Sequence, residues 1–312
     1  MFALRGIAVS LTLFWLSYCA LSVLVAYGWR YLDRLRNLPP RVVASLLFAA
    51  RILPFALSLA GTLVFAAPSF VWLEPRGTDE EIGVAPLLLG ICCLAFFAVG
   101  LTRVVRAQTS TSRVISSWLR GARALDVGTP APSFQASSSV PPLTLAGVCR
   151  PRLLFSESAL ALLSPDELRC AVRHEVAHMK FRDNLKKLAL QFAWFPSMRN
   201  LEKAWQHAAE LAADDDAVSN ANEALDLAAA LIKLSRQLPN QPLPVISMGL
   251  VQDGALSDRI SRLLNWKESS PDSARKFRWF AIPSLIAILL TTAAVYGPLL
   301  AQTHEVTEWL VR

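Results

Sequence analysis

The sequence predicts a mainly α protein with a small β element, in which four transmembrane helices carry a cytoplasmic domain built around a metal-site motif. Three observations lead there. Of the 312 residues, 54% are hydrophobic and the mean hydropathy is +0.39, too apolar for an ordinary soluble domain. Four charge-free stretches, 6–29, 52–73, 82–102 and 279–303, each reach the roughly 20 helical residues needed to cross a hydrocarbon core about 30 Å thick. Between the third and fourth stands His174-Glu175-Val176-Ala177-His178. The expected division is residues 1–105 as a membrane region, 106–277 as the metal domain, and 278–312 as a fourth span with a short extracytoplasmic tail.

The first span is longer than the apolar core of a secretory signal and is followed by Arg30, Arg34 and Arg36, so it reads as a retained helix. Basic residues set the orientation. Arg30, Arg34, Arg36 and Arg41 separate the first two spans, Arg103, Arg106, Arg113, Arg120 and Arg123 follow the third, and Arg275, Lys276 and Arg278 precede the fourth. All are placed on the cytoplasmic side. Glu74, Asp79, Glu80 and Glu81, with Glu305 and Glu308 in the tail, fall outside. The net charge of +7 is thus spent at membrane boundaries, and with no nucleic-acid motif no nucleic-acid binding is expected. Arg51 and Pro54 admit a reading as a gating pair; a snorkelling arginine and a kink are preferred. Trp72 and Trp279 read as interfacial anchors. The five cysteines, Cys19, Cys92, Cys93, Cys149 and Cys170, show no disulfide or metal spacing and read as buried small hydrophobes.

Within the central region, 128–142 is rich in Pro, Ser and Ala and reads as loop with an edge strand around Phe134. Residues 143–147 and 152–155 read as a hairpin. A nearby strand edge is a common way for peptidases to hold an extended substrate, a role assigned here by analogy alone. Next comes a helix over 165–181: Ser164 is its N-cap, Pro165 suits the first position, and Glu167 completes a capping box. Leu168, Ala171, Val172, Val176 and Ala177 recur at helical spacing. Further helices are expected over 201–218, 225–238 and 256–266, with a proline-rich loop at Pro239, Pro242 and Pro244.

On the 165–181 helix His174 and His178 stand one turn apart on one face with Glu175 beside them, the arrangement of a zinc hydrolase. The bland alternative is a chance match on an exposed helix. Catalytic zinc takes three protein ligands and keeps a position for water. Glu210 is the candidate third ligand, and Asp214, one turn on, is placed to accept a hydrogen bond from a ligating imidazole. Taken alone, Glu210 and Asp214 to Asp216 read as a solvated acidic face. Beside the upstream motif the ligand reading is preferred for Glu210, while Asp215 and Asp216 are read as surface. Asp183 either buttresses the site or is a helix-end carboxylate near Arg182 and Lys186. Glu175 is the expected general base. His207, three residues before Glu210, is a candidate oxyanion donor, with an exposed histidine on a polar face as the preferred reading.

The chain resembles the BlaR/MecR-type integral-membrane metallopeptidases over nearly its whole length. The likeness rests on three spans before the metal motif and one after it, Gly147 to Phe155, Leu163-Ser164-Pro165-Asp166-Glu167-Leu168, and His174 to His178 with Arg182-Asp183-Asn184. It continues through Trp194-Phe195-Pro196, Glu210 to Asp214, and Arg259-Ile260. The resemblance implies a gluzincin fold in a bacterial cytoplasmic membrane, one zinc ion per chain held by His174, His178 and Glu210, and Glu175 as base. It also implies signal-dependent cleavage of the protein itself or of a cytosolic transcriptional repressor. The characterised sensors carry an extracellular penicillin-binding domain after the fourth span, whereas this sequence stops shortly after it, so the β-lactam signal is not carried over and a membrane sensor partner is expected. Two alternatives stand beside this reading: a zinc-stabilised transducer without proteolysis, and a quality-control protease of the HtpX type, which generally places two spans on either side of the motif.

Overall fold

Three apolar helices organise the amino-terminal part of the chain. In the computed structural model, which describes residues 2–30, 38–75, 83–137, 140–237, 247–249, 256–266, 292 and 295–311, α1 (Phe2–Gly28) is the first. α2 (Pro40–Gly61) continues through a π turn (Thr62–Ala66) into α3 (Ala67–Leu73), and α4 (Val84–Trp118) is the longest. All three are long and apolar enough to cross a membrane. Most of the expected fourth span, with Trp279, lies outside the described residues, as do Arg34, Arg36, Asp79 to Glu81, the prolines at 239, 242 and 244, and Arg275 to Arg278.

Helices two and three outrun the spans expected from hydropathy. Ile52 to Leu73 covers 22 residues of the second, about 33 Å at 1.5 Å per residue, which already matches one hydrocarbon thickness. The turns from Pro40 to Arg51 extend beyond it. They begin where a helix can tolerate proline, after Pro39 in an extended conformation. α4 likewise runs on through Arg103, Arg106 and Arg113 to Trp118 without a break.

A five-stranded sheet follows, formed by β1 (Arg123–Leu125), β2 (Ser133–Ala136), β3 (Leu143–Ala146), β4 (Arg152–Ser156) and β5 (Ser247–Gly249), in the order β1-β2-β4-β3-β5. The expected hairpin is present as antiparallel β3 and β4, with Leu145 opposite Leu153. Gly147 opens its turn at φ 98°, where an added Cβ would come within 3.0 Å of Arg150 O, so a side chain is excluded there. The segment around Phe134 is not an edge strand. It lies inside the sheet, parallel to β4, because three residues from Arg123 pair along its other side.

The helices of the metal domain pack around this sheet: α5 (Glu157–Leu162), α6 (Pro165–Lys180), α7 (Asp183–Phe192), α8 (Arg199–Ala217), α9 (Ala221–Ser235) and α10 (Leu256–Leu264). The capping box of α6 is formed in both directions: Ser164 N–H donates to Glu167 Oε2 at 2.8 Å and Glu167 N–H to Ser164 Oγ at 3.3 Å. One core joins Leu145, Leu153 and Phe155 of the sheet to Cys170 and Ala171 of α6 and Leu227 and Leu231 of α9. A final helix, α11 (Tyr296–Val311), packs on α3 and the π turn, where Tyr296 O–H donates to Val64 O at 3.1 Å.

The part of the chain built on the sheet is seated on the three apolar helices at one corner and along one helix. The corner is the C-terminus of α7, whose last carbonyls have no helical partner. Ala193 O accepts from Tyr18 Oη at 3.0 Å and from Arg51 Nη2 at 2.7 Å, and Trp194 O accepts from Tyr18 Oη at 3.1 Å. Phe192 and Phe195 stand edge-on to Phe55 and Tyr18. Gly100 of α4 admits this corner, since a Cβ there would fall 2.7 Å from Phe192 O. Along α2, the fully buried Trp205 of α8 meets Phe48 at 5.9 Å between ring centres. Arg51 is therefore not a snorkelling side chain. It is 1% exposed and pairs with Glu202 of α8 at 2.8 Å.

Cys93 and Cys170 are buried as expected, Cys19 is half-buried, and Cys92 and Cys149 are exposed; none of the five is in a disulfide. Trp72 is exposed near the end of α3.

Candidate metal centre

α6 carries His174 and His178 one turn apart, and α8 crosses against it with Glu210 and Asp214, again one turn apart. All four side chains and Glu175 are buried. His174 Nε2 and His178 Nε2 lie 3.1 Å apart, with Glu210 oxygens 3.4 Å from the first and 3.6 Å from the second. Donors about 2.1 Å from a four-coordinate metal sit roughly 3.4 Å from one another. The spacing of this triad is that of a ligand set.

The tautomers point the same way. His178 Nδ1 lies 2.9 Å from Asp183 Oδ2 in a hydrogen bond. His174 Nδ1 lies 3.0 Å from Asp214 Oδ1, an ion-pair distance that does not meet hydrogen-bond geometry. A carboxylate partner holds the proton on Nδ1, so both Nε2 atoms present lone pairs, and they face a carboxylate. With both rings neutral, three acceptors converge, and Arg259 Nη1 stands 3.0 Å from Glu210 Oε2. Both oxygens of Glu210 are buried without a hydrogen bond. A cation satisfies that arrangement, and the His174, His178 and Glu210 group can hold one.

Without a metal, the carboxylates around the centre favour a proton on His178 in the place where a metal would take its lone pair. Burial opposes a charge on Glu210, but the Arg259 guanidinium and His178 overcome it and hold the carboxyl well below its ordinary value. Asp214 behaves alike, drawn down against burial to about 2 by Arg259 and His174. His178, despite burial, is lifted to about 9 by Glu210 and Asp183. Glu175 moves the other way. Burial, with Glu210 adding to it, lifts its carboxyl to about 7 in spite of His174, His178 and the Leu145 N–H that donates to Oε2 at 3.0 Å. Its Oε1 is buried with no hydrogen bond.

The two readings left open for Asp183 are both met: it binds His178 and also takes Lys186 Nζ at 2.9 Å. Arg182 makes this possible by turning the chain at φ 54° between α6 and α7. Asp215 and Asp216 lie outside the centre, paired with Arg262 at 2.7 Å and Lys180 at 2.9 Å. His207 is not brought to the triad. It is half-buried on α8, and among the described residues no hydrogen bond or ion pair joins it to His174, Glu175 or His178.

Three residues of the site were assigned no role in it from the sequence, although Asn184 and Arg259 lie in stretches that carry the family resemblance. Arg259 of α10 is 2% exposed and forks onto Asp214 at 2.7 and 2.8 Å, with Glu210 Oε2 3.0 Å away. Asn184 Nδ2 donates to Leu145 O at 3.3 Å and Gly147 O at 3.0 Å, tying α7 to the end of β3. Lys187 is buried in α7, and burial pushes its ammonium down to about 8 against the pull of Glu210, Asp183 and Glu175.

A cleft of about 370 Å³ opens beside His178, lined by Leu145, Val148, Cys149, Met179 and Leu185. A wider one of about 450 Å³, along Pro165, Leu168 and Arg169, reaches none of the metal-site residues. β3, which supplies the Leu145 N–H, has its outer edge covered by β5, with Leu145 opposite Met248. No family model matches the chain, and no curated protein matches it.

Proposed function

We propose that the chain is an integral-membrane zinc-dependent endopeptidase, similar to the BlaR/MecR type, with its gluzincin-like centre facing the cytoplasm of a bacterial inner membrane. The observation that carries this reading is the pairing of a buried three-acceptor ligand set with a buried, half-unpartnered carboxylate on the same helix. A structural site needs the first and has no use for the second.

His174, His178 and Glu210 would hold the zinc ion. When bound, zinc lowers the pKa of water toward neutrality and polarises the carbonyl to be cleaved. Glu175, lifted to about 7 by burial, is poised to take a proton from the attacking water and deliver it to the departing amide nitrogen. Asp214 and Asp183 keep the two imidazoles in one tautomer and one orientation. Arg259 neutralises Asp214 and Glu210 in a place where uncompensated carboxylates would be costly.

The chain itself is the substrate that the architecture favours, alongside a cytosolic repressor. β5 already lies antiparallel on the outer edge of β3, the position in which an extended peptide would be held by main-chain hydrogen bonds. A membrane partner supplies the signal in this reading.

The test compares the purified, detergent-solubilised protein with Glu175→Gln for zinc content, self-cleavage and cleavage of a casein-like chain. The proposal expects equal zinc and turnover by the wild type alone. Equal zinc with cleavage by both would remove Glu175 as base, and loss of zinc in neither His174→Ala nor His178→Ala would remove the centre itself.

A further inference from the structure

At the far end of the helical bundle a second group of metal-ligand residues converges from distant parts of the chain. Glu74 follows α3, and His304 and Glu308 stand one turn apart on α11. One donor atom from each lies within 4.8 Å of the other two. Arg5 of α1, also buried, meets Glu74 Oε1 at 3.0 Å. Thirteen residues of α1 separate Arg5 from the Tyr18 contact with the metal domain, about 20 Å along the helix, so this group is independent of the centre on α6.

We propose that Glu74, His304 and Glu308 form a second divalent-cation site, of the class that takes zinc, joining α11 to α3 and α1. His304 Nδ1 is buried and has no hydrogen-bond partner; it faces Glu74 Oε2 at 3.9 Å, while Nε2 faces Glu308 Oε1 at 3.4 Å. These separations are too long for good hydrogen bonds. One ion takes one nitrogen of the ring, and with one donor atom from each residue the three lie within 4.8 Å of one another, against roughly 3.4 Å for donors sharing a tetrahedral metal. Arg5 engages one oxygen of Glu74 and leaves the other directed at the ring, as Arg259 stands beside one oxygen of Glu210. A donor set of one imidazole and two carboxylates, with no sulfur, suits zinc or manganese and not copper(I). Glu308, whose side chain is 44% exposed, provides the entrance. Closing the set from within 4.8 Å to about 3.4 Å would draw α11 onto α3, so occupancy sets how firmly the last helix is held.

The test is zinc stoichiometry on the full-length, detergent-solubilised protein dialysed against Zn2+ alone. Two equivalents are expected for the wild type, and one for His178→Ala. One is also expected for Glu308→Gln, whose part-exposed position makes misfolding a poor explanation, and for His304→Ala. In the His178→Ala background, Zn2+ should slow amide exchange over residues 296–311. A wild type with a single equivalent that His178→Ala abolishes would overturn the second site while leaving the first. A single equivalent lost in Glu308→Gln and retained in His178→Ala would do the reverse. If His304 serves only as an imidazolium between two carboxylates, zinc changes neither the count nor the exchange, and the proposal fails.

Discussion

The centre at His174 and the cluster at His304 use the same chemical groups and differ in what surrounds them. Each imidazole of the first has its Nδ1 engaged by an aspartate that is not itself a ligand, Asp214 for His174 and Asp183 for His178. Nε2 is thereby aimed before any metal arrives. His304 has no such partner among the described residues, and its two nitrogens face two different carboxylates. The difference separates a site organised in advance, suited to a retained ion, from one that must rearrange to close, suited to an exchangeable one.

The largest effect expected from breaking this comparison lies in turnover. Glu175→Gln should lower peptide hydrolysis by about 10²- to 10⁴-fold, the usual worth of a general base, with zinc content unchanged in the same preparations. Next is Arg259→Leu, which strands Asp214 and Glu210 without their cation. Removing one member of a buried ionic group costs about 3–5 kcal/mol, to be read as a lowered unfolding midpoint; an unchanged midpoint would show that the carboxylates are paired some other way.

A third prediction concerns the metal-free protein. The folded state holds Glu175 protonated up to about pH 7, whereas the unfolded chain releases that proton near its ordinary value of about 4.3. Between those values the folded state binds more protons, so stability falls as pH rises and reaches its full loss above 7. Glu175→Gln should therefore stabilise the apo-protein at pH 8 by about 4 kcal/mol and make little difference at pH 4. A gain equal at both pH values would point to packing in place of ionisation.

Asp214→Ala should weaken zinc at the first centre by about 10- to 100-fold, measured by competition with a chelator. The same measurement applied to Arg5→Ala at the second cluster sharpens the contrast, since Arg5 orients a ligand there and no aspartate does. The smallest effect belongs to the rim: Lys180→Ala removes an exposed pair with Asp216 and should change stability by less than about 1 kcal/mol.

What the sequence made legible was local. The capping box, the two histidines and the Glu210 to Asp214 step all lie within one or two helical turns, where a period of 3.6 residues turns spacing directly into a shared face. Arg259 is 45 residues from Asp214 and Arg51 is 151 from Glu202, and no periodicity relates positions so separated. Arg51 in an apolar run therefore looked like a side chain reaching for water, when its partner was simply elsewhere in the chain. β1 and β5, at three residues each, are too short to show alternation, so Phe134 was assigned to an edge that the fold had already covered. His207 shares a helix with Glu210, three residues before it, yet no hydrogen bond or ion pair among the described residues joins it to His174, Glu175 or His178.

The seating of α8 on α2 has a geometric consequence for the proposed peptidase. Arg51 meets Glu202, and Glu210 follows eight residues further along the same rigid helix, about 12 Å away. With Trp205 locked against Phe48 between them, the scissile bond is held at a set height above the lipid. Under that proposal the site would act as a ruler as much as a catalyst, cutting tethered segments that reach its height and sparing longer or shorter ones.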